Sequence, residues 1–100
     1  MRMQVAIIIL NYRTPGLTAD CLRSIVPEVV PGMQVVVVDN NSGDGSAETL
    51  EALVAREGWA SWARVLRSPR NGGFAAGINF GIAAVDAEAY VLLNSDTLIQ

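Results

Sequence analysis

Apolar residues in this chain fall into two kinds of run. Val5 to Leu10, Gln34 to Val38, Ala63 to Leu66 and Ala89 to Leu93 are short and nearly continuous, and the first two are rich in β-branched side chains. Such runs, bounded by polar turn residues, predict four strands. Between them the apolar residues recur at helical spacing. Leu17, Cys21, Leu22 and Ile25 follow a Thr14-Pro15 start signal. Leu50, Leu53 and Val54 follow Ser46, with Glu48 and Glu51 near the positive end of the helix dipole. Phe74, Ile78, Ile82 and Val85 follow Asn71-Gly72-Gly73. Strands that alternate with helices make right-handed crossovers and a parallel sheet, and a stretch such as QVVVVDN (Gln34 to Asn40) suits a strand covered on both faces. The expected fold class is therefore α/β, an open parallel sheet of four strands with flanking helices. The segment EGWASWAR (Glu57 to Arg64) predicts an irregular link into the third strand, with Trp59 or Trp62 capping the edge of the core.

Composition narrows the function. One hundred residues, 51% of them apolar, suit a single compact domain spanning 1–100. A net charge of -3 with seven basic residues argues against nucleic acid as the main partner, because binding a phosphate backbone needs clustered Lys and Arg. Cys21 is the only cysteine, so no internal disulfide forms and a cytoplasmic setting is expected. The chain has no histidine to activate that thiol, which favours a small buried residue over a nucleophile. The opening Met-Arg-Met-Gln and Val5 to Leu10 are too short for a secretion signal, and no stretch reaches the length of a membrane span.

Polar groups collect where the predicted strands end. Strand one finishes in Asn11-Tyr12-Arg13, strand two in Asp39-Asn40-Asn41-Ser42 and strand four in Asn94-Ser95-Asp96. Ligands of open parallel sheets bind beyond those ends. Each group also has a plain structural reading: Asp44 and Ser46 suit a loop and helix cap. Asp39, directly after four valines, needs a hydrogen-bond partner, which a nucleobase N–H, a ribose hydroxyl or a loop amide would supply. In RNGGFAAGINFG (Arg70 to Gly81) the paired Gly72 and Gly73 let backbone N–H groups approach an anion at a helix start. Gly77 and Gly81 equally suit close packing of helix on sheet, and Asn79 suits either a ligand contact or solvent. Asp96 suits either a turn or an anchor for a hard cation, Mg²⁺ or Mn²⁺, whose other ligands come from water and phosphate.

Taken in order, IIILNYR, VVVVDNNSGDGS, NGGFAAGINFGI and YVLLNSDT resemble the first half of the nucleotide-sugar domain of family 2 glycosyltransferases with the GT-A fold, from Val5 to Thr97. The wording around Asn71 and Asn94 is most similar to the rhamnosyltransferase-like branch that builds cell-surface polysaccharides. The resemblance implies the strand order 3-2-1-4 of a Rossmann-like half domain. It implies that Asn11 and Tyr12 line the nucleoside pocket, that Asp39 binds the base, and that Asn71, Gly72, Gly73, Phe74, Gly77 and Asn79 flank the nucleoside and diphosphate. Asp96 would hold the divalent metal. Asn94, implied to be a nucleotide-binding residue, stands where the family's D-x-D motif has the first acidic residue that helps with ribose or metal; it keeps a carbonyl oxygen, removes one negative charge, and leaves strict metal dependence open.

The implied activity is transfer of a sugar from a nucleoside diphosphate donor, thymidine-linked rhamnose or a uridine-linked sugar, to a saccharide or glycolipid acceptor. The setting would be cytoplasmic, peripheral at the inner face of the membrane in a full-length protein. The family's catalytic base lies after the D-x-D strand, so the chain is expected to be an N-terminal, donor-binding fragment, inactive alone. Strand four beside strand one would leave an uncovered edge, which predicts a homodimer or larger assembly. The competing reading is a small non-catalytic α/β regulatory or self-associating module. A phosphoacceptor receiver would need an acidic pair where Asn11 and Tyr12 stand, and a dinucleotide-binding domain would need early glycines.

Overall fold

A computed structural model of the chain describes residues 2–96. Its strands are β1 (Met3–Asn11), β2 (Met33–Asp39), β3 (Ala63–Arg67) and β4 (Ala87–Asn94), and its helices α1 (Pro15–Ile25), α2 (Ser46–Arg56) and α3 (Phe74–Ala84). A 3-10 turn, Val26–Glu28, ends α1. The four strands form one sheet in the order β3-β2-β1-β4, with every neighbouring pair parallel, so the expected topology holds.

Alternation along the two central strands divides the core. Ile7, Ile9, Val35 and Val37 point to one face, where α1 and α2 cover them with Cys21, Leu22, Ile25, Leu50, Leu53 and Val54. Ala6, Ile8, Val36 and Val38 point to the other face, under Ile78 and Val85 from the α3 side. This two-sided burial explains why the central strands read as unbroken apolar runs. Trp59 is buried at the edge of the first cluster, its ring centroid 5.5 Å from that of Trp62, which packs partly buried beside it.

Two glycines set how closely α3 lies on the sheet. A Cβ on Gly81 would come within 2.8 Å of the γ-methyls of both Ile8 and Val38, and one on Gly77 would collide with a δ-methyl of Leu10. Only a glycine face allows that approach. Gly77, placed among the nucleotide contacts by resemblance, is therefore turned toward the sheet and buried.

The two sheet edges differ. β3 is five residues long and carries Arg64 and Arg67, features that discourage edge pairing. β4 is eight residues long and leaves Tyr90, Val91 and Leu92 exposed, with Val91 on the α1 face and Tyr90 and Leu92 on the α3 face. The Tyr90 hydroxyl donates to the Val85 carbonyl at 2.6 Å and accepts from the Ala87 N–H at 3.2 Å, fastening the turn from α3 into β4. No helix among the described residues is long and apolar enough to cross a membrane.

Candidate functional site

The carboxyl ends of the strands lie in register across the sheet. Asn11 pairs with Asp39, Asp39 with Arg67, and Leu10 with Asn94. Because β1 and β2 continue their alternation to the last residue, Asn11 and Asp39 both turn to the α1 and α2 side and meet there. The Asn11 amide Nδ2 donates to Asp39 Oδ1 at 2.9 Å and lies 3.5 Å from Ser42 Oγ. Asn11 Oδ1 accepts from Thr18 Oγ1 of α1 at 2.6 Å, with Thr14 Oγ1 at 3.4 Å. Asn11 and Thr18 are fully buried, and Asp39 and Ser42 nearly so. The Asn11 side chain is enclosed and ties β1, β2 and α1 together.

The bend after β2 closes on Asp39. The Ser42 hydroxyl donates to Asp39 Oδ1 at 2.6 Å, and the Ser42 N–H donates to Oδ2 at 3.2 Å. These are the loop partners that a buried carboxylate requires. Ser42 also receives the Arg13 N–H on its hydroxyl at 2.9 Å and Arg13 Nε on its carbonyl at 2.9 Å. Arg13 and Asn41 both have φ of +57°, a left-handed conformation that costs a residue with a side chain about 1 kcal/mol or more, and the Ser42 contacts hold Arg13 in it. The Arg13 guanidinium lies 5.2 Å from the centre of the Tyr12 ring.

Asn40, one residue on, points the other way, as strand alternation demands. Its Nδ2 donates to Asn71 Oδ1 at 2.9 Å and lies 3.3 Å from the Gly73 carbonyl, while the same Asn71 oxygen accepts the Gly73 N–H at 2.9 Å. Asn71 therefore starts α3 and pins it to β2. Gly73 has φ of +91° and ψ of 179°, a combination open essentially to glycine alone.

Two cavities flank this line of strand ends. The first, of about 350 Å³, is bounded by Leu10, Tyr12, Leu17, Phe74, Asn94 and Asp96, with Thr14 and Ser95 at its side. Tyr12 is 41% exposed and Phe74 52%, so two partly exposed aromatic residues line the same cavity as the Asp96 carboxylate. Thr14 Oγ1 lies 3.0 Å from Ser95 Oγ, linking the start of α1 to the turn that carries Asp96. The second, of about 280 Å³, lies beyond β2 and is lined by Asp39, Asn41, Gly45, Ser46, Glu48 and Arg67, among others. Adjacent strands are about 4.8 Å apart, so Asp39 on β2 and Asp96 beyond β4 are separated laterally by roughly 10 Å, two strand spacings.

Of the expected site residues, Tyr12, Phe74, Asn94 and Asp96 thus share one cavity, and Asp39 lies across β1 from them. Asn79 is exposed on α3 and Gly72 lines a separate hollow with Pro69, Arg70 and Phe80. Thr97, the last residue of the fourth motif, lies outside the described residues. Asp44 and Ser46 form the expected cap: Asp44 Oδ1 accepts from the Ser46 hydroxyl and N–H, which hold its carboxyl below the ordinary aspartate range. The Arg67 hydrogen bond likewise holds Glu51 below its usual value, and Arg67 also pairs with Glu48 at 2.9 Å. Burial, and then the charge of Asp96, push the Cys21 thiol up, which keeps it protonated and supports its plain packing role. Sequence reasoning named Ser42 only among the strand-end residues and Thr14 only as a helix start, assigned neither to the Asp39 and Asn11 network, and missed Thr18. The available signal for Ser42 was local: a serine three residues after an acidic strand end is placed to bond that side chain.

Metal holding rests on the donors around Asp96. The Asp96 carboxylate, the Asn94 amide oxygen and the Ser95 hydroxyl are hard oxygen donors around one cavity, and they fit a cation that keeps several water or phosphate ligands. Among the described residues no group of three or more His, Cys, Asp or Glu side chains converges.

Comparison with known proteins decides the family. The model of glycosyl transferase family 2 matches residues 6–100. This chain belongs to glycosyl transferase family 2. The glycosyltransferase GlyG of Streptococcus pneumoniae serotype 4 is 24% identical over 96 residues, which is 96% of this chain and 31% of that protein. Among solved structures, the mannosyltransferase PcManGT from Pyrobaculum calidifontis, in complex with GDP-Man and Mn²⁺, superposes with a TM-score of 0.85 at 24% identity, over 98% of this chain and 29% of that one. TarS from S. aureus superposes with a TM-score of 0.73 at 20% identity, over 94% of this chain and 17% of that one. These structures show the fold, the Rossmann-like GT-A arrangement. The family 2 chain spans about a third of the length of GlyG, a curated relative that it matches.

Proposed function

We propose that this chain is the donor-binding half of a glycosyltransferase that moves a sugar from a nucleoside diphosphate to a saccharide or glycolipid acceptor. The observation that carries this reading is the convergence of Tyr12, Phe74, Asn94 and Asp96 on one cavity at the carboxyl end of a parallel sheet, with Asp39 two strand spacings away. That separation is on the scale of a nucleoside diphosphate, with base near Asp39 and phosphates near Asp96. Tyr12 and Phe74 offer aromatic walls for the nucleoside and sugar, and the uncapped start of α3 favours negative charge beside Phe74. Asp96, with Asn94, would hold Mg²⁺ or Mn²⁺, which when bound neutralises charge on the departing diphosphate. The donor proposed is a thymidine-linked rhamnose or a uridine-linked sugar, used on the cytoplasmic side of a membrane in polysaccharide synthesis.

Titration with uridine and thymidine diphosphates in the presence of Mn²⁺ tests the reading. Saturable binding is expected, and Asp96→Ala should weaken it about tenfold or more, the loss of one charge-assisted contact. Equal affinity in the parent and in Asp96→Ala would remove the metal assignment, and no binding in either would remove the function.

The unguarded outer edge of β4, with Tyr90, Val91 and Leu92 exposed, favours self-association of this chain when it is studied alone. Light scattering across a wide concentration range should show a dimer or larger species, reduced by Val91→Lys or Leu92→Lys. A monodisperse monomer throughout would count against association through that edge.

A further inference from the structure

Thr14 opens α1 without capping it. Its carbonyl accepts the Thr18 N–H at 3.0 Å, which puts Thr14 at the N-cap, with Pro15 at the first helical position. A threonine there ordinarily turns its hydroxyl onto a free N–H of the first turn. This one makes no such bond. Its Oγ1 donates instead to Ser95 Oγ at 3.0 Å, 81 positions along the chain, and lies 3.4 Å from Asn11 Oδ1. A hydroxyl has one proton to give, and Asn11 Oδ1 already accepts Thr18 at 2.6 Å, so Ser95 takes it. The place of Ser95 gives that bond its consequence. β4 is an edge strand bonded to β1 alone, and its ladder ends where Leu10 faces Asn94. Ser95 and Asp96 form a turn past that last pair. Among the described residues the bond from Thr14 is the only side-chain hydrogen bond that reaches this turn. Thr14, Asn94, Ser95 and Asp96 all line the 350 Å³ cavity.

We propose that Thr14 is a positioning residue for the Asp96 carboxylate: through Ser95 it ties the turn after β4 to the start of α1, so that a divalent cation meets the carboxylate already in place. Thr14 acts through Ser95 and is not itself a ligand. A turn left free at the sheet edge would have to be ordered when the cation binds, and that loss of freedom lowers affinity; a turn tied beforehand avoids it. The hydroxyl that would have steadied the first turn of α1 steadies the Asp96 turn instead. The inference rests on the reading that Asp96 holds Mg²⁺ or Mn²⁺, and it adds the residue that sets where the carboxylate stands.

The experiment is a Mn²⁺ titration of the whole chain with uridine diphosphate present, followed by the electron paramagnetic resonance signal of free Mn²⁺. Thr14→Val keeps the outline of the side chain and removes the hydroxyl. It is expected to weaken Mn²⁺ binding about tenfold, the low end of what the outer partners of metal ligands contribute. Thr14→Ser, which keeps the hydroxyl, should bind Mn²⁺ as the parent does. In a Ser95→Ala background, where the bond is already gone, Thr14→Val should cost nothing further. Unchanged affinity in folded Thr14→Val, a loss in Thr14→Ser equal to that in Thr14→Val, or a further loss on top of Ser95→Ala would each overturn the proposal and leave Asp96 as the metal residue. Should Thr14→Val fail to fold, Ser95→Ala breaks the same bond from the other side, and unchanged affinity there overturns the proposal equally. Absence of Mn²⁺ binding by the parent, or binding that Asp96→Ala leaves intact, would overturn the metal reading, and this inference with it.

Discussion

Asp39→Ala is expected to lower the folding stability of this domain by about 3 kcal/mol. The substitution strips the acceptor from Asn11 Nδ2, from the Ser42 hydroxyl and from the Ser42 N–H. Each buried donor left without a partner costs about 1–3 kcal/mol, and the 280 Å³ cavity beside Asp39 admits water that recovers part of the sum. The loss reaches further than one side chain, because Ser42 holds Arg13 in its left-handed conformation and Asn11 holds Thr18 of α1. Asp39→Asn, which keeps the shape and one acceptor oxygen but brings two N–H groups against donors, should fall between parent and alanine. Asp96→Ala provides the contrast. Asp96 is exposed, so its removal should change stability by about 0.5 kcal/mol or less while reducing metal-dependent nucleotide binding. Urea unfolding of the three variants reads these differences; an Asp39→Ala protein as stable as the parent would show that the network contributes nothing to folding.

The same network shows where a one-dimensional reading stops. Val5 to Leu10 and Gln34 to Val38 announced buried parallel strands because two-sided burial removes polar alternation, and β1 and β2 occupy those positions with one residue more at their polar ends. What Asn11 does was not legible. A polar residue at a strand end faces either a ligand or a neighbouring strand, and the choice depends on the register that sets Asn11 opposite Asp39. Tyr12 and Phe74 were candidates through the resemblance alone; periodicity grouped Phe74 with Ile78, Ile82 and Val85, yet at the first turn of α3 it is exposed while Ile78 and Val85 are buried. The exposure of β4 was not legible in its composition: Val91, Leu92 and Leu93 read as a buried strand, yet the described fold covers β4 along its β1 side alone. Gly77 and Gly81 carried a clearer signal. Four residues apart, they fall on one helix face, and a glycine stripe there marks a close approach whatever ligand is nearby.

That stripe supports the second large effect, a loss of about 1–3 kcal/mol in Gly81→Ala. Alanine in the middle of a helix gains about 1 kcal/mol over glycine from backbone entropy, so an open position would be stabilised by the change. Gly81 is not open. The new Cβ would lie 2.8 Å from the γ-methyls of Ile8 and Val38, both fully buried, both β-branched and stiff at χ1, and both on the central strands. Neither methyl has space to move, so α3 must lift from the sheet, and overpacking of a tight core exceeds the helical gain. Gly77→Ala should be milder, since the atom it meets first is the end of the half-buried Leu10 side chain, which rotates more easily. Leu10 lines the same cavity as Phe74 and Asp96, so its displacement in this variant should weaken nucleotide binding more than the stability loss suggests. Unfolding curves for both variants, with nucleotide titrations on each, separate the two consequences. A Gly81→Ala protein more stable than its parent would mean that α3 does not rest on Ile8 and Val38 as described.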